Sequence, residues 1–263
     1  MFRLGIVIPT WGRPDLTKIV LNHYANMVVP RVFTRILAIY SPEDPHALNT
    51  VMNDVHWVGT KNNPVSDKWI YGMQSMNRKW RNELDAVMLV GSDDLVNESY
   101  VNEACSLIQS GREFVMPSGL HFYDTRTGRM FYTRASSIGA ANVFSVKALD
   151  KMNWAPWQRG RDRGVDQNMA RYMRRMKIIN RGVVETDVHS GNILVDVKHS
   201  KRAEGVYVSE NIWSYDKMYM AFRKSLIKVG AKVVFEGNFV GIWNQLLEFR
   251  DNGDYIEDVG SLC

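Results

Sequence analysis

The sequence predicts an α/β protein built on a mixed sheet, and three observations carry that expectation. Apolar segments and segments of helical period alternate through about residue 111, the pattern of strand and helix units that assemble a largely parallel sheet. The run Ala86-Val87-Met88-Leu89-Val90 is apolar at every position, as suits a central strand covered on both faces. Beyond residue 113 the pattern changes to short alternating stretches separated by turn residues, which makes the sheet mixed.

Residues 5–9 read as the first strand, leading through Thr10-Trp11-Gly12-Arg13-Pro14 into a helix over 15–27. Pro14 suits a first helical turn, and Leu16, Ile19, Val20 and Tyr24 recur at helical spacing. The second strand, 33–40, ends at Ser41-Pro42-Glu43-Asp44-Pro45, so two polar loops leave the same sheet edge. A helix over 45–54, a strand at 55–58 and a helix over 66–82 follow, the last with Ser66 as N-cap. The apolar run then delivers Gly91-Ser92-Asp93-Asp94 to that edge. A helix over 98–110 buries Val101, Ala104, Cys105 and Ile108 on one face. Strands follow at 113–117, 121–124 and 129–133, with a hairpin turn at 124–129. A small-residue stretch at 137–141 precedes a strand at 143–145, and helices are expected over 146–152 and 166–176. Further strands fall at 183–188 and 193–197, and 211–229 reads as helical. These assignments divide the chain into a domain over 1–215 and a helical C-terminal extension over 216–263.

The composition is that of an ordinary soluble globular protein, 45% hydrophobic and 23% charged over 263 residues. No apolar run approaches the ~18 residues of a membrane span, and the apolar N-terminal stretch is too short for a signal peptide. A cytoplasmic protein is expected. The two cysteines, Cys105 and Cys263, show no metal-ligand spacing, which argues against a zinc site or a disulfide framework. The formal charge of +5 is unevenly spread. Arg161, Arg163, Arg171, Arg174, Arg175, Lys177, Arg181, Lys198 and Lys201 lie within 159–202, where acids are sparse. Such a stretch is either a solvated helix face or a surface for a polyanion.

In open α/β sheets ligands bind beyond the carboxyl ends of the strands, which is where the apolar run places Asp93 and Asp94. Adjacent carboxylates repel, and a divalent cation carrying phosphate would relieve that repulsion. A turn or helix cap also uses aspartate, so the residues alone leave both readings open.

Four motifs, taken in order, carry a resemblance. They are Ile8-Pro9-Thr10-Trp11-Gly12-Arg13-Pro14, Ser66-Asp67-Lys68-Trp69, Gly91-Ser92-Asp93-Asp94-Leu95, and Asp196-Val197-Lys198 followed by Asn211-Ile212. Over about residues 3–215 the chain resembles the GT-A nucleotide-sugar glycosyltransferases, particularly family 2-like enzymes and small bacteriophage glycosyltransferases. The resemblance implies a Rossmann-like mixed sheet flanked by helices, a nucleoside-diphosphate sugar as donor, and Mn2+ or Mg2+ as cofactor. It implies that Pro9, Thr10, Trp11, Arg13 and Glu43 surround the nucleotide. Asp67, Lys68 and Ser92 would add donor contacts, and Lys198 would neutralise the diphosphate. Asp93 and Asp94 would bind the metal, with His199 as third ligand. Asp166, in Gly164-Val165-Asp166-Gln167, matches the general base of an inverting transfer, and Trp154, Trp157 and Arg163 would meet the acceptor. One departure stands out: Gly91 and Ser92 occupy the place where relatives often carry an earlier acid. The acceptor stays open between a hydroxylated base in viral DNA, a glycan, a lipid and a protein. A nucleotidyltransferase is the alternative enzyme, although the Gly-rich, Lys-bearing loop expected after its first strand is missing. A nucleic-acid-binding module using the basic stretch is the non-enzymatic alternative.

Overall fold

The structure, a computed structural model, describes residues 1–125, 127–134, 139–162, 164–198, 225–239 and 241–247. The first half alternates as the sequence pattern requires: β1 (Phe2–Pro9), α1 (Pro14–Asn26), β2 (Val32–Tyr40), β3 (His56–Gly59), α2 (Val65–Trp80) and β4 (Ala86–Leu89). A short β5 (Asp94–Val96) leads into α3 (Glu98–Gln109), followed by β6 (Phe114–Pro117), β7 (Gly119–Asp124), β8 (Met130–Arg134) and β9 (Val143–Ser145). The chain continues with α4 (Val146–Lys151), α5 (Val165–Arg175), β10 (Arg181–Val184) and β11 (Leu194–Lys198). The last described elements are β12 (Ile227–Val229), α6 (Ala231–Asn238) and α7 (Ile242–Leu247).

Seven strands form the main sheet in the order β10-β6-β9-β4-β1-β2-β3, and five form a second sheet, β12-β8-β7-β11-β5. In the main sheet β4, β1, β2 and β3 run parallel, while β9 is antiparallel to both β4 and β6. Alternate side chains of each central strand enter different cores. Leu4, Ile6 and Ile8 of β1, with Ala86 and Met88 of β4, pack with residues of α1, α3 and the second sheet. Val7, Val87 and Leu89 point the other way, onto Ile70, Met73 and Met76 of α2 and Met169 and Met173 of α5. Residues 86–90 are buried throughout, which is the physical reason their apolar run shows no alternation.

Three sequence expectations are corrected. The helix expected over 45–54 is a single 3-10 turn, Ala47–Thr50, in which the Ala47 and Asn49 N–H groups donate to carbonyls three residues back and the Thr50 hydroxyl donates to the Ala47 carbonyl at 2.8 Å, where a continuing helix would place the next N–H. Ser66 is not the cap of α2, which is Pro64. Ser66 is buried one residue inside, its N–H donating to the Arg161 carbonyl at 2.9 Å and its Oγ accepting from Arg161 N–H at 2.8 Å. Asp162 Oδ1 takes the Val65 N–H at 2.9 Å, so a distant loop satisfies amides that a local cap usually takes. Residues 227–229, expected as helix, form β12, which pairs with β8; the rest of 211–224 and the 215/216 boundary lie outside the described residues. The described part of the C-terminal extension therefore adds a strand as well as helices. Its Val234, Phe235, Phe239 and Leu246 join the core that covers α1. Among the described residues no helix is long and apolar enough to cross a membrane.

Candidate active site

The loops after β1, β2 and β4 meet at one edge of the main sheet, where the second sheet supplies β5 and β11. Asp94 opens β5 and pairs directly with Asp196 of β11. Asp93, one residue earlier, accepts the Val197 N–H through its carbonyl at 2.7 Å. Like charges directly opposite in an antiparallel pair are destabilising. The register nevertheless brings one carboxylate oxygen each from Asp93, Asp94 and Asp196 within 4.8 Å of one another. Tyr24 of α1 fixes the short strand, its hydroxyl donating to the Asp94 carbonyl and accepting from the Val96 N–H, both at 3.1 Å.

Two cations enter the cluster. Arg13 Nη1 lies 2.9 Å from Asp93 Oδ2, and Lys198 Nζ lies 3.4 Å from the same oxygen and 2.6 Å from Asp196 Oδ1. All three side chains of these pairs that carry Asp93 are no more than 15% exposed. Burial opposes ionisation of Asp93, but Arg13 and Lys198 outweigh it and hold its carboxyl well below the usual range. Asp94 has no such partner: burial, then the Asp93 and Asp196 charges, raise it well above the usual range. Burial, with the Asp93 charge, pushes Asp196 up to about 6 against the pull of Lys198. Three acids thus face two cations: Arg13 and Lys198 pair with Asp93 and Asp196, and Asp94 is the acid left without a pair among the described residues. Oxygen donors with an unmet negative charge fit a hard divalent cation such as Mg2+ or Mn2+.

The glycine in place of an earlier acid has a steric reason. A Cβ on Gly91 would lie 2.6 Å from Asp94 Oδ2 and 2.9 Å from Asp93 Oδ1, while the Gly91 N–H donates to Asp94 Oδ2 at 2.7 Å. No side chain fits at position 91 with Asp94 so placed. Ser92 beside it is buried.

Asp166 lies in the first turn of α5. Its carboxyl rests on residue 139, where a Cβ would come 2.1 Å from Asp166 Oδ1. The Asn142 side chain donates to the Gly139 carbonyl at 3.1 Å, and the Asn142 carbonyl accepts from Leu89 N–H at 2.8 Å. Because β9 runs antiparallel to β4, this 139–142 segment emerges at the edge that carries Asp93 and Asp94. Asp166 is exposed, and the desolvation of its carboxyl pushes it up to about 6.

The remaining expected residues divide by burial. Pro9, Trp11 and Arg13 are partly exposed at the edge, and Glu43 is exposed and accepts the Asn62 N–H at 2.6 Å. Thr10 is buried, its N–H donating to the Ile39 carbonyl at 2.9 Å. Lys68 is not placed to meet phosphate. It is buried, and its ammonium donates to the Thr10 carbonyl and Ser41 Oγ, both at 2.7 Å, and to Asn62 Oδ1 at 3.0 Å. All three donors are used in tying the first two loops to α2, and burial lowers the ammonium to about 8. Asp67 takes the Gly160 N–H at 2.9 Å and helps dock the 160–162 loop. Trp154 and Trp157 are 2% and 4% exposed and belong to the core under α5, so their ring faces are covered and not offered to an acceptor. Arg163 and His199 lie outside the described residues. Asp196, noted only within a motif, emerges as the third acid; its signal was an aspartate in an otherwise apolar strand. Asp44 is also buried, and its carboxylate accepts the Gly12 N–H at 2.8 Å, joining the first loop to the second.

Fold and edge together define the class: a mixed α/β protein of GT-A type with an acidic cluster beyond the strand ends. No protein-family model matches the sequence, and no curated protein matches it. Among solved structures the chain is similar to S. aureus TarS 1-349 in complex with UDP-GlcNAc, at TM-score 0.54 and 13% identity, covering 94% of this chain and 71% of that one. It is similar to TarS 1-349 in complex with UDP at TM-score 0.53 and 11% identity, over 94% and 70% of the two chains. Likeness at such identity establishes the fold.

Proposed function

We propose that this chain is a divalent-metal-dependent glycosyltransferase that moves a sugar from a nucleoside-diphosphate sugar to a hydroxyl acceptor, with inversion at the anomeric carbon. The observation that carries this reading is the convergence of Asp93, Asp94 and Asp196 within 4.8 Å beside Arg13 and Lys198. That arrangement retains like charges at a cost that a structural role does not repay. A UDP-sugar in a neighbour of the same fold supports a nucleotide-sugar donor.

Asp93, Asp94 and Asp196 would hold Mg2+ or Mn2+, which when bound supplies Lewis-acid stabilisation of the departing diphosphate. Arg13 and Lys198 bring fixed positive charge beside the same leaving group, in a site where buried charges act strongly. Trp11 and Glu43, on the first and second loops, border the nucleotide. Asp166 removes the proton of the acceptor hydroxyl as its oxygen attacks the anomeric carbon, and the leaving diphosphate carries away the bonding pair. A carboxylate raised to about 6 remains ionised at neutral pH while being a better base than an ordinary one.

The test is incubation with UDP-GlcNAc and a panel of other nucleotide sugars in Mn2+, with and without chelator. Release of nucleoside diphosphate that stops on chelation is expected. Absence of nucleotide binding across the panel would overturn the proposal, and release of pyrophosphate from nucleoside triphosphates would assign nucleotidyl transfer instead.

A further inference from the structure

Over residues 159–181 there are eight basic residues against two acids, an excess larger than the +5 of the whole chain. The structure places much of this charge on one platform. Helix α5 buries Met169 and Met173 in the core and leaves Arg171, Arg174 and Arg175 exposed, with Lys177 exposed just beyond its end. Among the described residues the side chains of these four make no ion pair and no hydrogen bond. A helix dipole accounts for basic residues in a last turn, but it neither requires Arg171 nor continues to the loop on the other side. That loop carries the exposed Arg159 and Arg161. It is fastened to α5 by the Gln158 N–H on Asn168 Oδ1 at 2.7 Å and to α2 by the Gly160 N–H on Asp67 Oδ1 at 2.9 Å. The loop is therefore held against both helices, and Asp166 stands in the first turn of α5.

We infer that the outer face of α5 and the 159–161 loop form a docking track for a linear polymer with phosphates in its backbone, which presents its acceptor hydroxyls to Asp166. This rests on the proposed role of Asp166 as base. The cations are strung along the surface instead of converging on a pocket, so they match a ligand of repeated charge and not a single anion. From Asp166 to Arg174 the helix advances about 12 Å, room for more than one phosphate. Arginine predominates, and its planar fork suits phosphate oxygens. Tyr172, the one aromatic residue of α5, packs partly buried against the core, which leaves the arginines as the exposed charged groups of the helix.

The test measures binding of a fluorescent 20-nucleotide single-stranded DNA, of inorganic polyphosphate and of poly-L-glutamate to the full chain and to the Arg171→Glu/Arg174→Glu/Arg175→Glu variant. UDP affinity and thermal denaturation of both proteins are measured in parallel. We expect binding of DNA, polyphosphate or both, weakened at least 10-fold in a variant that still folds and binds UDP as before. Removal of three phosphate contacts should reduce the slope of log K against log salt by about 2 for single strands. DNA alone identifies a nucleic acid; equal binding of polyphosphate identifies the phosphate chain itself. Failure of both polymers to bind at low salt, undiminished binding by the variant, or tighter binding of poly-L-glutamate would overturn the inference. Absence of nucleotide binding by the unaltered protein across the whole panel would instead remove the proposed function and with it the presentation of hydroxyls to Asp166, leaving polymer binding on α5 as a separate result.

Discussion

Asp94 meets Asp196 across two short strands, and their mutual repulsion is the most informative contact in the molecule. An amide at position 94 keeps an oxygen for the Gly91 N–H while removing the acid whose ionisation burial and two neighbouring carboxylates oppose. In chelator, Asp94→Asn is expected to be more stable than the unaltered protein by about 1 kcal/mol, or roughly 2–4 °C in Tm. Added Mn2+ should raise the Tm of the unaltered protein and leave that of the variant unchanged. An equal response in both would show that Asp94 is no ligand. At Asp166 the expected effect is on rate: Asp166→Asn should lose about 10²–10⁴-fold in kcat with nucleotide affinity preserved. A base must be ionised, so kcat should fall as pH drops through about 6 and be flat above it. A kcat independent of pH between 5 and 8 would exclude Asp166 from that role. Both acids were visible in the sequence; Asp196 was visible only as part of a motif, because nothing local tells a strand aspartate that its cross-strand neighbour is another acid.

At the scale of elements, the two loops and the β4 terminus owe their positions to contacts that single segments do not announce. Gly91→Ala would drive a Cβ into Asp94 Oδ2, a steric conflict worth about 1–3 kcal/mol. Activity should fall more sharply than stability, and Gly91→Asp, which supplies an acid before Asp93, should weaken metal binding instead of strengthening it. Metal titration of both variants decides the matter. Lys68 gives a second case. With its three donors committed to Thr10, Ser41 and Asn62, Lys68→Met should weaken binding of uridine and UDP by similar factors as the loops loosen. A loss confined to UDP would mean direct contact with the diphosphate. Most elements were legible from period alone, and the 45–54 segment was not, because the Thr50 hydroxyl occupies a backbone carbonyl that a continuing helix would use.

For the molecule as a whole, the site is assembled where two sheets share an edge. A metal bound only by the folded chain stabilises it in proportion to RT ln(1 + [L]/Kd), about 2.7 kcal/mol at a hundredfold excess over Kd. Chelation should therefore lower Tm and abolish turnover together, and both should return with Mg2+ or Mn2+; turnover that survives complete chelation would leave Arg13 and Lys198 as the diphosphate's only partners. The order of strands and helices, the doubly covered β4 and the placing of acids at a strand end follow from the sequence by itself, since hydrophobic period and residue type act locally. The tertiary structure alone decided which acids face one another, that Lys68 and the two tryptophans serve the interior, and that Asp166 reaches the same edge as Asp93. Those outcomes depend on register and on contacts between residues 27 to 105 positions apart, which side-chain pattern along the chain does not encode.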